Sequence, residues 1–240
     1  KGHLDWALEL GPPPPQAGIL SRHEREGSLP ETLNRFSEGK LAIEINNFTE
    51  LEMGHKWWMA DPARRSFLPR SQDGRWRWYR SLFGPSMPVH FYREDEGSSL
   101  DQPFLYQMLL QPRLKSGFAA VLGSPVAHSR SPEEHRDFFA SQGKPCVAIE
   151  IHEQEFAAAF DFLVRLGLQE AAVTAPLKHA AFEICQEVTL QADGLRAVNT
   201  LRIRDGRIEG HNTDMLALIE MAKELTGEVW LWGGSGVRSS

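Results

Sequence analysis

From Phe118 onward, short apolar runs alternate with longer stretches whose apolar residues recur at helical spacing, and this alternation most constrains the fold. FAAVLG, residues 118–123, is short and uniformly apolar, so it reads as a buried strand ending at Gly123. SPEEHRDFFASQG, residues 131–143, reads as a helix with Ser131 as N-cap, Pro132 in the first position and Gly143 at its end. CVAIEI then reads as a strand, EQEFAAAFDFLVRLG as a helix, EAAVTAP as a strand and HAAFEICQEV as a helix. In AVNTLRIRDGRIEGHNTD an Asp-Gly pair separates two strand-like runs, which signals a hairpin. MLALIEMAKEL is an amphipathic helix and EVWLW a final strand. Strands alternating with helices in this way define an α/β fold.

The region before QPRLKSG, residues 111–117, is patterned differently, and that segment reads as the boundary. HLDWALEL, AGILSRH, KLAIEI, RRSFLP and PVHFYR read as strands, each a few residues long. PETLNRF and DQPFLYQMLL are the best helix candidates between them, each with Pro near its start. This order suggests a parallel sheet or barrel. Pro12–Pro15 mark a loop. The paired tryptophans Trp57/Trp58 and Trp76/Trp78 read as core or interface residues rather than a platform for stacked bases.

Composition narrows the function. A hydrophobic content of 41% and a charged content of 24% are those of a globular protein with a core. The net charge of −6 comes from residues after 116, since acids and bases balance before that point. With no basic stripe beyond GRWRWYR, nucleic acid is not expected as a partner. No apolar run is long enough to cross a membrane. Cys146 and Cys185 have no CxxC spacing, which argues against a disulfide framework or a cysteine zinc site and suits a reducing cytoplasm. The start at Lys1 and the end in a glycine-rich turn read as cut ends.

Four motifs fall in order in the second half, each at a strand end or helix start, where open α/β sheets collect ligand groups. GSPVAHSRSP places the hydroxyls of Ser129 and Ser131 at a helix N-terminus, a favourable spot for a carboxylate, although plain capping by Ser131 explains it too. VTAPLK puts Thr174 and Lys178 on a loop, where a lysine could exchange a proton with a developing alkoxide or simply be solvated. AVNTL sets Asn199 within an apolar strand, to satisfy backbone groups or meet a polar ligand. GHNTD leads into a helix with Asp214, which suits an N-cap and could also partner Lys178.

In this order and spacing the motifs resemble the shikimate dehydrogenase family over about residues 117–240. The resemblance implies a substrate-binding domain at 117–227, a β-α-β sandwich, followed at 228–240 by the start of a truncated Rossmann domain. It implies that Ser129 and Ser131 bind the shikimate carboxylate. Thr174, Asn199 and Asp214 would line its hydroxyls, and Lys178 and Asp214 would relay the proton as a ring hydroxyl becomes a ketone. NADP would be the cofactor, with Gly233, Gly234, Ser235 and Gly236 at the dinucleotide turn. There Ser235 replaces a usual glycine, Ala172 stands where the family usually has Asn, and Ala217 where it often has Gly. With so little of the nucleotide domain, the fragment is expected to bind NADP poorly. The alternatives are a quinate/shikimate dehydrogenase using NAD, and a non-catalytic protein that keeps shikimate affinity.

Residues 1–112 resemble, more loosely, the later strands of a type I 3-dehydroquinate dehydratase, a (β/α)8 barrel. The carriers are LSRHEREGSLP, KLAIEI, GRWRWYR and FYREDEGSSLDQP. The resemblance implies a proton shuttle at His23, a Schiff-base lysine at Lys40, a carboxylate-binding arginine at Arg77 or Arg80, and contacts from Ser98 and Gln102. A degenerate barrel with an incidental His and Lys is the competing reading.

Overall fold

The computed structural model describes residues 4–13, 17–24, 28–127 and 129–223. It divides into two compact units, one ending at Lys115 and the other beginning at Ser116.

The first unit contains β1 (Leu4–Ala7), β2 (Ala17–Glu24), α1 (Leu29–Arg35), β3 (Gly39–Glu44), α2 (Phe48–Met59), β4 (Arg65–Arg70), α3 (Arg77–Phe83) and α4 (Leu105–Leu110). The strands form one parallel sheet in chain order, β1-β2-β3-β4. In β3 and β4 the four inner residues are buried on both faces, the pattern of a covered parallel sheet. Asn47 caps α2 by accepting from Glu50 N at 3.0 Å. The helix then buries Phe48, Leu51, Trp57 and Trp58. Trp76 and Trp78 are buried as well, and the indoles of Trp57 and Trp76 donate to Phe36 O and Ile45 O. The tryptophans therefore belong to the core.

Several sequence expectations are corrected here. HLDWALEL is a strand only to Ala7, and Leu8–Leu10 turn into a single 3-10 helix. PVHFYR forms no strand. Val89 N donates to the Ser66 hydroxyl rather than to a neighbouring strand, and Pro88 has no N–H to give. Within that segment Arg93 alone makes an isolated bridge, to Phe104. GRWRWYR, rather than a basic surface run, ends inside α3.

The second unit contains β5 (Phe118–Gly123), α5 (Ser131–Glu134), α6 (Arg136–Ser141), β6 (Cys146–Glu150), α7 (Phe156–Arg165), β7 (Leu168–Val173), α8 (Lys178–Glu183), β8 (Glu187–Val188), α9 (Leu190–Leu195), β9 (Thr200–Arg204), β10 (Arg207–His211) and α10 (Asp214–Lys223). Its six-stranded mixed sheet runs β6-β5-β7-β9-β10-β8. β6, β5 and β7 are parallel, β9 runs antiparallel to both β7 and β10, and β8 is parallel to β10. β5 is buried at every residue, and α7 packs its apolar stripe of Phe156, Ala159, Phe160, Phe162 and Leu163 inward. The hairpin turn between β9 and β10 is Asp205-Gly206, both at positive φ (49° and 77°), as a two-residue hairpin of this kind needs.

The helix expected at 131–143 is two short pieces broken at His135, and Ser131 is not its cap. Arg130 already has helical backbone angles, so Ser131 is the first helical residue, and its N–H points to Ser129 Oγ at 3.3 Å. HAAFEICQEV is helical only as far as Glu183, because its last residues join the sheet as β8. Asp214 is likewise the first residue of α10 and not its cap. EVWLW and the glycine turn, with Gly233, Gly234, Ser235 and Gly236, lie outside the described residues.

Candidate active site

The site of the second unit forms where β5, β7 and the chain before β9 end side by side. Thr174 N donates to Leu122 O at 2.9 Å, and Ser124 N to Ala175 O at 3.1 Å, so the loops after β5 and β7 are tied together. Gly123 makes this approach possible, because a Cβ there would lie 2.3 Å from the Thr174 methyl. The β7 loop then closes through Leu177 N to Thr174 O and delivers Lys178 as the first residue of α8.

Asn199, Lys178 and Asp214 meet there. Asn199 lies just ahead of β9 rather than within a strand, yet its backbone spans both neighbours: its O accepts from Val173 N and its N donates to His211 O. Asn199 Nδ2 donates to Asp214 Oδ1 at 2.8 Å and to Thr213 Oγ1 at 2.9 Å. Its Oδ1 accepts from Thr213 N and Thr200 Oγ1. Two donors and two acceptor positions are thus all engaged, and the amide fixes the carboxylate. Lys178 Nζ donates to Asp214 Oδ2 at 2.6 Å, so each carboxylate oxygen has a donor while the ammonium has used one of three.

Partial burial opposes ionisation of Asp214, but the hydrogen bonds from Lys178 and Asn199 and the charge of Lys178 outweigh it. They hold the carboxyl below its ordinary range. Both side chains remain partly open, at 29% and 37% exposure. A cavity of about 490 Å3 is lined by Ala120, Phe138, Phe139, Ala172, Thr200 and Thr213, among others; Thr200 and Thr213 bond to Asn199, while Lys178, Asn199 and Asp214 themselves do not line it. Thr174 is exposed on the connecting loop. Ser129 and Ser131 stand further along the loop that leaves β5, and no hydrogen bond among the described residues joins them to Lys178 or Asp214.

Sequence reasoning missed two groups in this unit. Asn212 is buried and bonds to both the α10 backbone and Ala197 O; it lies in the GHNTD motif, beside the more conspicuous Asp214. Ser124 Oγ donates to Glu150 Oε1 and lies 3.2 Å from His152 Nδ1 at the ends of β5 and β6.

In the first unit, Lys40 on β3 is 4% exposed and sits between Ser21 and Ser66 in register, its ammonium 4.9 Å from the Phe91 ring centre. His23 pairs with Ala42 two residues further along, so it shares the Lys40 face and is exposed. Arg77 Nε, from the start of α3, donates to Leu100 O, and Gln102 Oε1 accepts from Ser98 N, so Arg77 meets the 97–102 loop that carries the other two. Arg80 is instead buried, and burial lowers its pKa to about 10 even with Asp101 nearby. Asp101, not singled out in the sequence, anchors the loop by accepting from Ser71 N, Ser71 Oγ and Trp76 N.

The class of protein that this second unit resembles is set by residues 121–201, which match the family model described as the shikimate dehydrogenase substrate binding domain. Ser129, Ser131, Thr174, Lys178 and Asn199 fall inside that match, and Asp214 lies beyond it. Among particular relatives, the chain is 40% identical over 111 residues to the shikimate dehydrogenase (NADP(+)) of Alcanivorax borkumensis, covering 45% of this chain and 40% of that one. It is 41% identical over 110 residues to the enzyme of the same name from Xanthomonas campestris pv. campestris, covering 45% and 39%. A solved relative is the shikimate 5-dehydrogenase of Thermus thermophilus in complex with shikimate, 34% identical, with a TM-score of 0.40 over 45% of this chain and 42% of that one. The chain spans about two-fifths of the length of the curated relatives it matches.

Proposed function

We propose that the second unit binds shikimate and 3-dehydroshikimate and serves their NADP-dependent interconversion, the activity for which the similar bacterial enzymes are named. The observation that carries this reading is the Lys178–Asp214–Asn199 cluster, formed by residues from three separate segments and still partly open to solvent. When bound, NADPH would supply the hydride for reduction and NADP+ would take it up in oxidation. The residues of this chain handle the proton. In reduction, the Lys178 ammonium donates a proton to the carbonyl oxygen as it becomes an alkoxide, and the amine is reprotonated from solvent. Asp214 holds the ammonium in line and Asn199 holds Asp214. Thr174 would meet a ring hydroxyl, and Ser129 and Ser131 would donate hydroxyls to the carboxylate. The test is shikimate-dependent reduction of NADP by the full-length natural protein and by Lys178→Ala. Turnover lost in the variant with binding retained supports the reading. No turnover by the parent with either NADP or NAD removes it in favour of a binding protein.

A second reading concerns the first unit. Its parallel strands run in chain order, and Lys40 is buried on an inner strand, which supports a segment of a dehydratase-like (β/α) barrel. In that reading Lys40 forms an imine with the ketone of 3-dehydroquinate, His23 shuttles the proton, and Arg77, Ser98 and Gln102 hold the substrate. Borohydride trapping of 3-dehydroquinate on Lys40 tests it, and no adduct removes it.

A further inference from the structure

The helix that carries Asp214 is held almost entirely at its first turn. Among the described residues α10 buries no side chain, and Leu216, Leu218, Ile219 and Met221 are all exposed. The ion pair between Lys178 and Asp214 is partly open to solvent, and such a pair alone fixes geometry weakly. Something drier has to set where the carboxylate sits.

Asn212 is 2% exposed and occupies that place. Its Oδ1 accepts from Asp214 N at 3.1 Å and Met215 N at 3.3 Å, taking up two of the N–H groups that a helix start leaves unpaired. Its Nδ2 donates to Ala197 O at 2.9 Å. The next two residues hold the other parts of the site. Val198 N donates to Lys178 O at 2.9 Å, and the Asn199 side chain bonds Asp214. Three successive residues thus anchor the helix bearing Asp214, the backbone of Lys178 and the carboxylate itself.

We infer that Asn212 is a positioning residue: its clamp between the start of α10 and Ala197 O sets how Asp214 meets Lys178. This rests on the reading that the cluster takes shikimate. A buried amide engaged at both its oxygen and its nitrogen is a stiffer support than the more open pair it serves. Capping alone needs only an acceptor, whereas the clamp needs the donor as well.

The test uses the 240-residue chain with two readouts, the carbon-13 titration of the Asp214 carboxyl and the calorimetric affinity for shikimate. Asn212→Ala is expected to move the Asp214 midpoint upward and to weaken shikimate by about tenfold, the worth of one well-made hydrogen bond. Asn212→Ser keeps an uncharged acceptor for the cap without the reach to Ala197. It is expected to hold the fold, seen in its amide spectrum, while still moving both readouts toward those of Asn212→Ala. If Asn212→Ser matches the parent in both, the clamp is overturned and only a cap remains. If the parent itself binds no shikimate, the functional reading fails. The carboxyl titration then decides the inference alone, an upward shift in both variants supporting it and an unchanged midpoint overturning it.

Discussion

Lys178 Nζ and Asp214 Oδ2 lie 2.6 Å apart although they are 36 positions apart in the chain, and each is the first residue of its helix. Neither helix alone has any use for the pair. It exists because the chain between them folds through β8, α9 and the β9–β10 hairpin and returns to the same edge of the site. An ammonium steadied by a carboxylate and partly open to solvent is the basis for proposing carbonyl reduction.

Removing the donor gives the first prediction. Lys178→Ala in the full-length protein should lower kcat for shikimate oxidation by about 10²–10⁴-fold with a smaller change in shikimate affinity, the usual scale for a lost general acid or base. Steady-state kinetics paired with calorimetry checks this. Weaker affinity with kcat unchanged would make Lys178 a binding group only.

The acid side gives the second. The Asp214 carboxyl titrates below its unfolded value, so its ionised form stabilises the fold above the unfolded pKa. That contribution should fade as pH falls through the lowered folded pKa. Urea midpoints measured from neutral pH into the acid range should therefore decline, and Asp214→Asn should decline less steeply over the same interval. Parallel declines would show that the carboxyl is not held down.

Much of this arrangement was legible in the sequence. FAAVLG, CVAIEI and EAAVTAP are apolar enough to fix their own strands, and Asp205-Gly206 fixes the hairpin, because each signal is local. The ordered motifs also placed Lys178, Asn199 and Asp214 together. What the sequence hid was decided by partners distant along the chain or by the local turn. Ser131 looked like a cap, but the Ser129 hydroxyl and the helical turn at Arg130 displaced it. PVHFYR looked like a strand, but Ser66 takes its backbone donor. Asn212 in GHNTD carries no local signal of its own, because its partner Ala197 O is 15 positions away in the chain.

Close packing of the two loops gives the third prediction. Gly123→Val would set branched carbons against Thr174, 2.3 Å from the position of Cβ, and against Ala175 O. Overpacking at such a contact costs about 1–3 kcal/mol. A lowered urea midpoint together with weaker shikimate binding is expected, and an unchanged midpoint would show that the loop after β7 yields freely.

The first unit supplies the fourth. Asp101 is fully buried and accepts from Ser71 and Trp76; burial raises its pKa, while these bonds pull it back down. Asp101→Ala would leave the Trp76 N–H and the Ser71 donors unpaired, at about 1–3 kcal/mol for a buried unsatisfied group. Thermal unfolding followed by tryptophan fluorescence should shift to lower temperature, and no shift would mean that water replaces the carboxylate.

The proposal that the Lys178–Asp214–Asn199 cluster binds shikimate is tested most directly by titrating shikimate into the 240-residue chain by calorimetry. Saturable one-to-one binding is expected in the parent, markedly weakened in Asp214→Ala and Asn199→Ala. Absence of binding to the folded parent, or equal binding to all three proteins, would contradict it.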